Sequence, residues 1–231
     1  MAGRFLPSRD GLGFDNAWPP APAVVMPSPF GEIRLGSAAG GLCGGMVFAA
    51  LDYWNAGWAP PGARPAPRTP VYEFIVRRLL DSWQGPGGVA RYYEWMGLPD
   101  GDGTGLQLFG RPLLTRRGLA WRTIADEWPR IKLDLDRGVP VPLGLVTISS
   151  RLPHDLAQNH QILAYGYRTS GTRTTMLVYD PNRGRRDDVT ITFDASAPAR
   201  PTAFAHTLAI GGRPVRGFFR SGYRVFRSPP R

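Results

Sequence analysis

The sequence contains almost no lysine and almost no cysteine: among 231 residues, Lys132 is the only lysine and Cys43 is the only cysteine. A single cysteine excludes an intrachain disulfide, so the fold must rest on its packed core. No segment approaches the ~18 consecutive apolar residues that span a bilayer. The sequence begins MAGRFLPSRDGLGFDN, which lacks the continuous apolar stretch of roughly 7–15 residues that a secretory signal requires. We therefore expect a cytoplasmic protein without a membrane span.

Acidic residues are also scarce, since 18 of them face 28 basic residues and the net charge is +10. Residues 211–231 contain six arginines and no acidic side chain. Charged side chains in such a pattern mostly lie on a solvated surface, so we interpret the segment as an exposed face of C-terminal strands. The alternative is that it attracts an anionic partner, such as nucleic acid, a phosphate-bearing ligand or an acidic carrier protein.

Apolar spacing predicts helices first and strands second, which is typical of an α+β fold. The predicted helices cover about Cys43–Trp54, 71–83, 89–96 and part of 127–138. The predicted strands lie within 139–148, 160–168, 174–181, 188–193 and 215–226. The length suits one domain. We divide it into a surface arm over 1–40, a mainly helical part over 41–137 and a β-sheet part over 138–231.

Cys43 lies between two glycine pairs at the start of the first long predicted helix, in GGLCGGMVFAALDYW. The free N–H groups and positive dipole end of a helix N-terminus favour a thiolate and can bind an oxyanion. The glycines would let the backbone approach a ligand closely. These features indicate a nucleophile, whereas the alternative is a buried core thiol.

A thiol nucleophile needs a base, and the chain has three histidines. His160 opens the strand NHQILAYGYR, which a short turn joins to RTTMLVYDPN. A hairpin centred on Ser170 would place His160 opposite Asp180, close enough for the carboxylate to orient the imidazole. The alternative is a structural strand histidine. His154 suits a surface loop, and His206, in an apolar context, suits a packed position.

Cys43 at a glycine-rich helix start, followed by NHQILAYGY and VYDPN, resembles the papain-like cysteine peptidases, most of all their bacterial C39-like branch. The resemblance covers roughly residues 36–182. It implies a papain-like fold in which Cys43 is the nucleophile, His160 the general base and Asp180 the residue that orients the base. Asn182 is the alternative orienting residue, because papain-like enzymes use either an asparagine or an aspartate.

The sequence departs from that family at two points. Where the family usually carries an oxyanion-hole glutamine, about six residues before the cysteine, this chain has Ser37. Asn16 is a substitute donor if the N-terminal arm folds back. The Cys43-to-His160 spacing of 117 residues is also shorter than the ~130–150 typical of the papain type.

The sequence therefore predicts a cysteine hydrolase that acts on an amide, peptide or thioester bond through an acyl-Cys43 intermediate. Such chemistry requires no metal and no organic cofactor. Two alternatives stay open: a cysteine-dependent acyltransferase, in which an amine replaces water, and a non-catalytic papain-like binding protein. The substrate itself is not predicted beyond a peptide, amide or other acyl compound.

Overall fold

The computed structural model describes residues 4–18, 24–28, 31–35, 41–84, 86–104, 107–108, 111–112, 115–201 and 204–231. These residues form an α+β fold, as the sequence predicted. The α-helices are α1 (Pro7–Asp10), α2 (Cys43–Ala56), α3 (Pro70–Ser82), α4 (Pro86–Met96), α5 (Leu119–Trp121) and α6 (Trp128–Asp136).

The four predicted helices correspond to α2, α3, α4 and α6, so all four predictions are confirmed. Helix α2 ends where Gly57 adopts a positive φ of 69°, which glycine tolerates at a helix C-terminus. Among the α-helices, α1 and α5 were not predicted, and α5 and a π-helical turn at Arg122–Glu127 run directly into α6. In the described part of the chain, no helix is long and apolar enough to cross a membrane.

The main sheet has six antiparallel strands in the order β11-β10-β9-β8-β7-β12. Its strands are β7 (Val141–Val146), β8 (His160–Ser170), β9 (Arg173–Tyr179), β10 (Thr190–Asp194), β11 (Ala205–His206) and β12 (Gly217–Arg220). Three two-stranded pairs are built from β1 (Val24–Ser28), β2 (Gly31–Leu35), β3 (Gly103–Thr104), β4 (Gln107–Leu108), β5 (Arg111–Pro112) and β6 (Thr115–Arg116).

The sheet is covered on both faces, and β8 shows why. Ile162 and Ala164 join the apolar cluster that contains Ile131 of α6. The alternate residues Leu163 and Tyr165 join the cluster that contains α2 side chains. Because successive side chains of a strand point to opposite faces, α2 and α6 lie on opposite sides of the sheet.

Two glycines allow α2 to pack unusually close to its neighbours. A Cβ atom on Gly45 would lie 2.1 Å from the carbonyl oxygen of Ile75 in α3. A Cβ atom on Gly44 would lie 2.3 Å from Oγ of Ser82 and 2.7 Å from Cδ of Gln161. The interpretation that these glycines bring the backbone close to a ligand is therefore not what the contacts show, since they bring α2 close to α3 and β8.

The N-terminal segment is not the surface arm that the sequence predicted. Among residues 4–18, the side chains of Phe5, Leu12, Phe14 and Trp18 are buried. Leu12, Phe14 and Trp18 belong to the helical core, and Phe5 packs between α2 and the sheet. The reason is that these apolar side chains fill space that α2, α3 and the sheet leave open.

The arginine-rich C-terminus is only partly a strand. Within the predicted strand 215–226, only β12 is regular, and residues 221–231 follow without helix or strand. Arg216 forms a salt bridge with Asp100 at 2.8 Å, and Arg220 forms one with Asp134 at 3.3 Å. These two arginines are engaged within the molecule, and the anionic partner stays a prediction from the sequence.

A buried carboxylate helps to hold that irregular segment against the helices. Asp52 of α2 accepts hydrogen bonds from the hydroxyl of Tyr223 at 2.7 Å and the backbone N–H of Phe226 at 2.8 Å. It also pairs with the buried Arg78 at 2.7 Å. These polar contacts fix the path of residues 221–231, which form no strand.

We expect Gly45→Ala to lower the free energy of unfolding by about 2 kcal/mol, because the added methyl group collides with the α3 backbone. Alanine has a higher helix propensity than glycine, so propensity alone would stabilise the protein. A loss of stability would therefore identify the collision as its cause. Gly87→Ala is the matched control, since Gly87 also lies in a helix and has open space around it. Urea denaturation should show a small stabilisation for Gly87→Ala, and equal effects of the two substitutions would contradict the packing argument.

Candidate active site

Cys43 is the first residue of α2, as the sequence predicted. The first hydrogen bond of the helix runs from the N–H of Met46 to the carbonyl of Leu42, at 2.9 Å. The N–H groups of Cys43, Gly44 and Gly45 therefore have no acceptor within the helix. The side chain of Cys43 is only 8% exposed, so the thiol lies at the base of the site and not at its surface.

His160 and Asp180 are in direct contact, since Nε2 of His160 lies 2.8 Å from Oδ1 of Asp180. Both side chains are buried. The sequence predicted this contact, but the predicted register is wrong. Ser170 pairs with Arg173, and a bulge near Tyr165 shifts the pairing again before the ladder ends at Leu163 and Tyr179.

The contact forms because the chain leaves the ladder just before Asp180. Residues Pro181–Arg183 form a short 3₁₀ turn, and proline has no N–H with which to continue the strand pairing. Continuation of the last observed register, Leu163 with Tyr179, would have brought Asn182 opposite His160. The turn instead leaves Asp180 free to point its carboxylate at the imidazole.

Backbone donors hold the carboxylate of Asp180 in place. Oδ1 accepts from the N–H of Asn182 at 2.9 Å, and Oδ2 accepts from the N–H of Ala209 at 2.9 Å. The Asn182 side chain is engaged elsewhere, because it donates to the carbonyl of Ala209 and accepts from Asn16. The structure thus places Asp180, and not Asn182, against His160.

The protonation states of His160 and Asp180 depend on each other. Burial acts to lower the pKa of His160, but the charge and hydrogen bond of Asp180 and contact with Cys43 outweigh it and raise the pKa to about 10. Burial acts to raise the pKa of Asp180, but His160 and the two backbone donors lower it below its ordinary value. An imidazolium paired with a carboxylate is therefore the stable state near neutral pH.

The imidazole also reaches the thiol. Cys43 and His160 line the same cavity, and interaction with Cys43 acts to raise the pKa of His160. Since Nε2 faces Asp180, Nδ1 is the nitrogen left for the sulfur. The arrangement can move a proton between sulfur and imidazole while the carboxylate holds the ring.

Asn16 contacts residues close to Cys43 and Asp180, so the N-terminal segment does fold back toward them. Its Oδ1 accepts from the N–H of Leu42 at 2.7 Å and from Nε1 of Trp18 at 2.8 Å. Its Nδ2 donates to Asn182 at 2.9 Å. Asn16 therefore ties the residue before Cys43 to the turn after Asp180. Ser37, the other oxyanion-hole candidate, lies outside the described residues.

A small cavity of about 20 Å³ adjoins the thiol, which is room for about one water molecule. Its walls are formed by Cys43, Leu79, Trp83, Tyr92, Leu156, Ala157, Asn159, His160 and Gln161. Trp83, Tyr92 and Gln161 were not predicted as site residues. Gln161 directly follows His160 in the sequence, and that adjacency was the one signal from which it could have been found.

Arg213 is a further neighbour that the sequence did not single out. Its guanidinium donates to the carbonyls of Gln158 and Ile210. Burial lowers the pKa of Arg213, and the charge of nearby Cys43 acts in the opposite direction. A cation thus lies close enough to influence the thiol electrostatically.

His206 does not join the group described above. Nε2 of His206 lies 3.0 Å from the carbonyl oxygen of Arg213. The backbone of His154 lies in the 3₁₀ turn Pro153–Gln158. Over the residues whose side chains are described, no cluster of three potential metal ligands occurs.

Comparison with protein-family models, with curated proteins and with solved structures found no match to this chain. The resemblance to papain-like peptidases therefore stays a prediction from the sequence.

The pKa values predict how stability depends on pH. The pKa of His160 is raised from 6.5 to about 10, so its stabilising contribution is complete below pH 6.5 and is lost as the pH rises through about 10. The pKa of Asp180 is lowered from 3.8, so its contribution is complete above pH 3.8 and is lost as the pH falls further. We expect Asp180→Asn to cost about 3–5 kcal/mol at pH 7 and clearly less at pH 11.

Urea denaturation of both proteins at the two pH values would measure this difference. Asp188→Asn is the control, because Asp188 forms an exposed salt bridge with Arg186 at 2.6 Å. Such surface pairs contribute little, so Asp188→Asn should not change stability measurably. A cost of Asp180→Asn that is the same at pH 7 and pH 11 would contradict the ion pair.

Proposed function

We propose that this protein is a papain-like cysteine hydrolase that cleaves an amide, peptide or thioester bond. The observation that carries the proposal is that Cys43 and His160 line one cavity and interact, while His160 lies 2.8 Å from the carboxylate of Asp180. Each neighbour supplies what the thiol needs, since the imidazole takes its proton and the carboxylate stabilises the resulting imidazolium. These interactions join residues 43, 160 and 180, which are far apart in the sequence.

The reaction starts from the Cys43 thiolate beside the His160 imidazolium, because the imidazole already holds the proton of the thiol. The thiolate attacks the substrate carbonyl carbon, and the electron pair of the carbonyl moves to its oxygen. When the C–N or C–S bond breaks, His160 returns the proton to the leaving amine or thiol. Water then attacks the acyl-Cys43 with His160 as the base, releasing the acid and the free thiol.

The oxyanion formed in each attack needs hydrogen-bond donors close to the sulfur. The N–H groups at the start of α2 are suited to this role, because they have no acceptor within the helix and they lie at its positive dipole end. Asn16 is less suited than the sequence suggested, since one of its amide hydrogens already bonds to Asn182. We therefore assign oxyanion binding to the backbone of Cys43 and Gly44, with Asn16 fixing the loop before them.

One observation favours the alternative of a non-catalytic binding protein. The side chain of Cys43 is only 8% exposed, and the adjoining cavity holds about one water molecule. A substrate must therefore approach along a narrow path or displace the residues around it. Thiol reactivity separates the two functions, because a buried thiol without a base alkylates slowly.

We expect iodoacetamide to label Cys43 of the folded protein at pH 6 at least ~10-fold faster than it labels free cysteine, because the thiolate is the reactive form. The urea-unfolded protein is the control and should react like free cysteine. Mass spectrometry of the adduct measures both rates. A folded-state rate at or below that of free cysteine would overturn the hydrolase and favour the binding protein.

The orienting residue is tested by two single substitutions. We expect Asp180→Asn to reduce acyl-enzyme formation from a panel of activated esters and thioesters by roughly 10²–10⁴-fold, because the imidazolium loses its carboxylate. Asn182→Ala should have a smaller effect, since that side chain does not contact His160. Circular dichroism confirms that each variant is folded. The reverse order of severity would assign the orienting role to Asn182.

The fate of the acyl group separates hydrolysis from acyl transfer. Once an acylating substrate has been found, the isolated acyl-enzyme is mixed with buffer alone or with added amines. Free acid released at the same rate in both cases supports the hydrolase. An amide product and faster loss of the adduct in the presence of amine would identify an acyltransferase.

A further inference from the structure

Two residues that line the cavity beside Cys43 each carry a buried polar atom that lacks a partner. Nε1 of Trp83 and Oε1 of Gln161 are buried, and neither has a hydrogen-bond partner among the residues that the structure describes. Trp83 is 7% exposed and Gln161 is 3% exposed, and both line the cavity. Buried polar groups in native proteins are almost always paired. Two unpaired polar atoms on residues that line one cavity therefore indicate a missing group.

The neighbours of Gln161 fix which of its amide atoms is unpaired. The hydroxyl of Ser82 donates to the carbonyl of Leu79 at 2.7 Å. Its single proton is thereby used, so it can only accept from Gln161, whose Nε2 lies 3.1 Å away. The carbonyl oxygen of the amide is consequently the unpaired end, and it is an acceptor.

Gly44 makes room for that amide. A Cβ atom at this position would lie 2.7 Å from both Cδ and Nε2 of Gln161. The residue after Cys43 must therefore be glycine for the Gln161 side chain to occupy its place beside the thiol. The polar wall is thus built by α2, α3 and β8 together.

The missing group must match the chemistry and the size of the cavity. Trp83 offers one donor and Gln161 offers one acceptor, so a single group that serves both residues must accept and donate. A hydroxyl does both. With about 20 Å³ available, a hydroxyl or a water molecule fits, whereas a branched aliphatic side chain does not.

We propose that this cavity is a selectivity pocket for a hydroxyl group next to the scissile carbonyl, as in a seryl-type acyl group. The inference rests on the proposed function of Cys43. Because Cys43 lines the cavity, a hydroxyl that enters it must lie within a few bonds of the carbon that binds the sulfur. Trp83 and Gln161 are then specificity-determining residues, and a substrate without the hydroxyl leaves both unpaired.

The probes are N-acylated chloromethyl ketones of serine, alanine and leucine. In each, the Cys43 thiolate forms an S–C bond to the methylene carbon and chloride leaves with the electron pair of the C–Cl bond. We expect the serine reagent to alkylate Cys43 at least ~10-fold faster than the alanine reagent, because it satisfies two buried groups. The leucine reagent should be the slowest, because its side chain exceeds the cavity.

Two substitutions test whether Trp83 and Gln161 cause the preference for the serine reagent. Trp83→Phe removes the donor and Gln161→Leu removes the acceptor, and each should bring the serine-to-alanine rate ratio close to one. The ratio compares two reagents on the same protein, so a general change in thiol reactivity cancels. Trp121→Phe is the matched control, since Trp121 lies outside the cavity and should keep the parent ratio. If Gln161→Leu does not fold, the serine-to-alanine rate ratio of Trp83→Phe alone decides whether the pocket selects a hydroxyl group.

Iodoacetamide separates the failure of this inference from failure of the proposed function. Rapid labelling at pH 6 with a serine-to-alanine ratio near one would overturn the hydroxyl pocket alone and leave a structural water as its occupant. A parent ratio that persists in Trp83→Phe would also overturn it. Labelling no faster than that of free cysteine would overturn the hydrolase and the pocket together.

Discussion

The close approach of α2 to α3 and β8 is the constraint on which the site depends. Glycine at 44 and 45 leaves no Cβ atom between the helix and its neighbours, so the first turn of α2 lies against Ser82 and Gln161. This contact brings Cys43 to the end of β8 where His160 begins the strand. A side chain at either glycine would push the helix away, and the thiol would move out of reach of the imidazole.

The buried pair of His160 and Asp180 is tolerated because its polar atoms are satisfied. Removal of two charges from water is costly, and their mutual attraction compensates only when further hydrogen bonds complete the pair. Backbone N–H groups of Asn182 and Ala209 provide them. The loop that contains Ala209 is therefore coupled to the protonation state of the pair, and it leads to Arg213 beside the thiol.

Asn16 connects parts of the chain that are remote in sequence. It binds the backbone before Cys43 through Leu42 and the turn after Asp180 through Asn182. Its own N–H donates to the carbonyl of Pro181 at 2.9 Å. The N-terminal segment thus has a structural role at the site, because it fixes the distance between the helix that carries the thiol and the strand end that carries the carboxylate.

The sequence by itself determined the α+β order and the start of α2 at Cys43. Apolar periodicity and glycine positions are local signals. They predict a helix or strand correctly where that element buries its apolar face. Only the tertiary structure decided the burial of residues 4–18, the irregular path of 221–231 and the polar pair of Trp83 and Gln161. Those features depend on which side chains meet across elements far apart in the chain. Local spacing predicted the right histidine partner from a wrong register, because the turn at Pro181, and not the ladder, aims Asp180 at the imidazole.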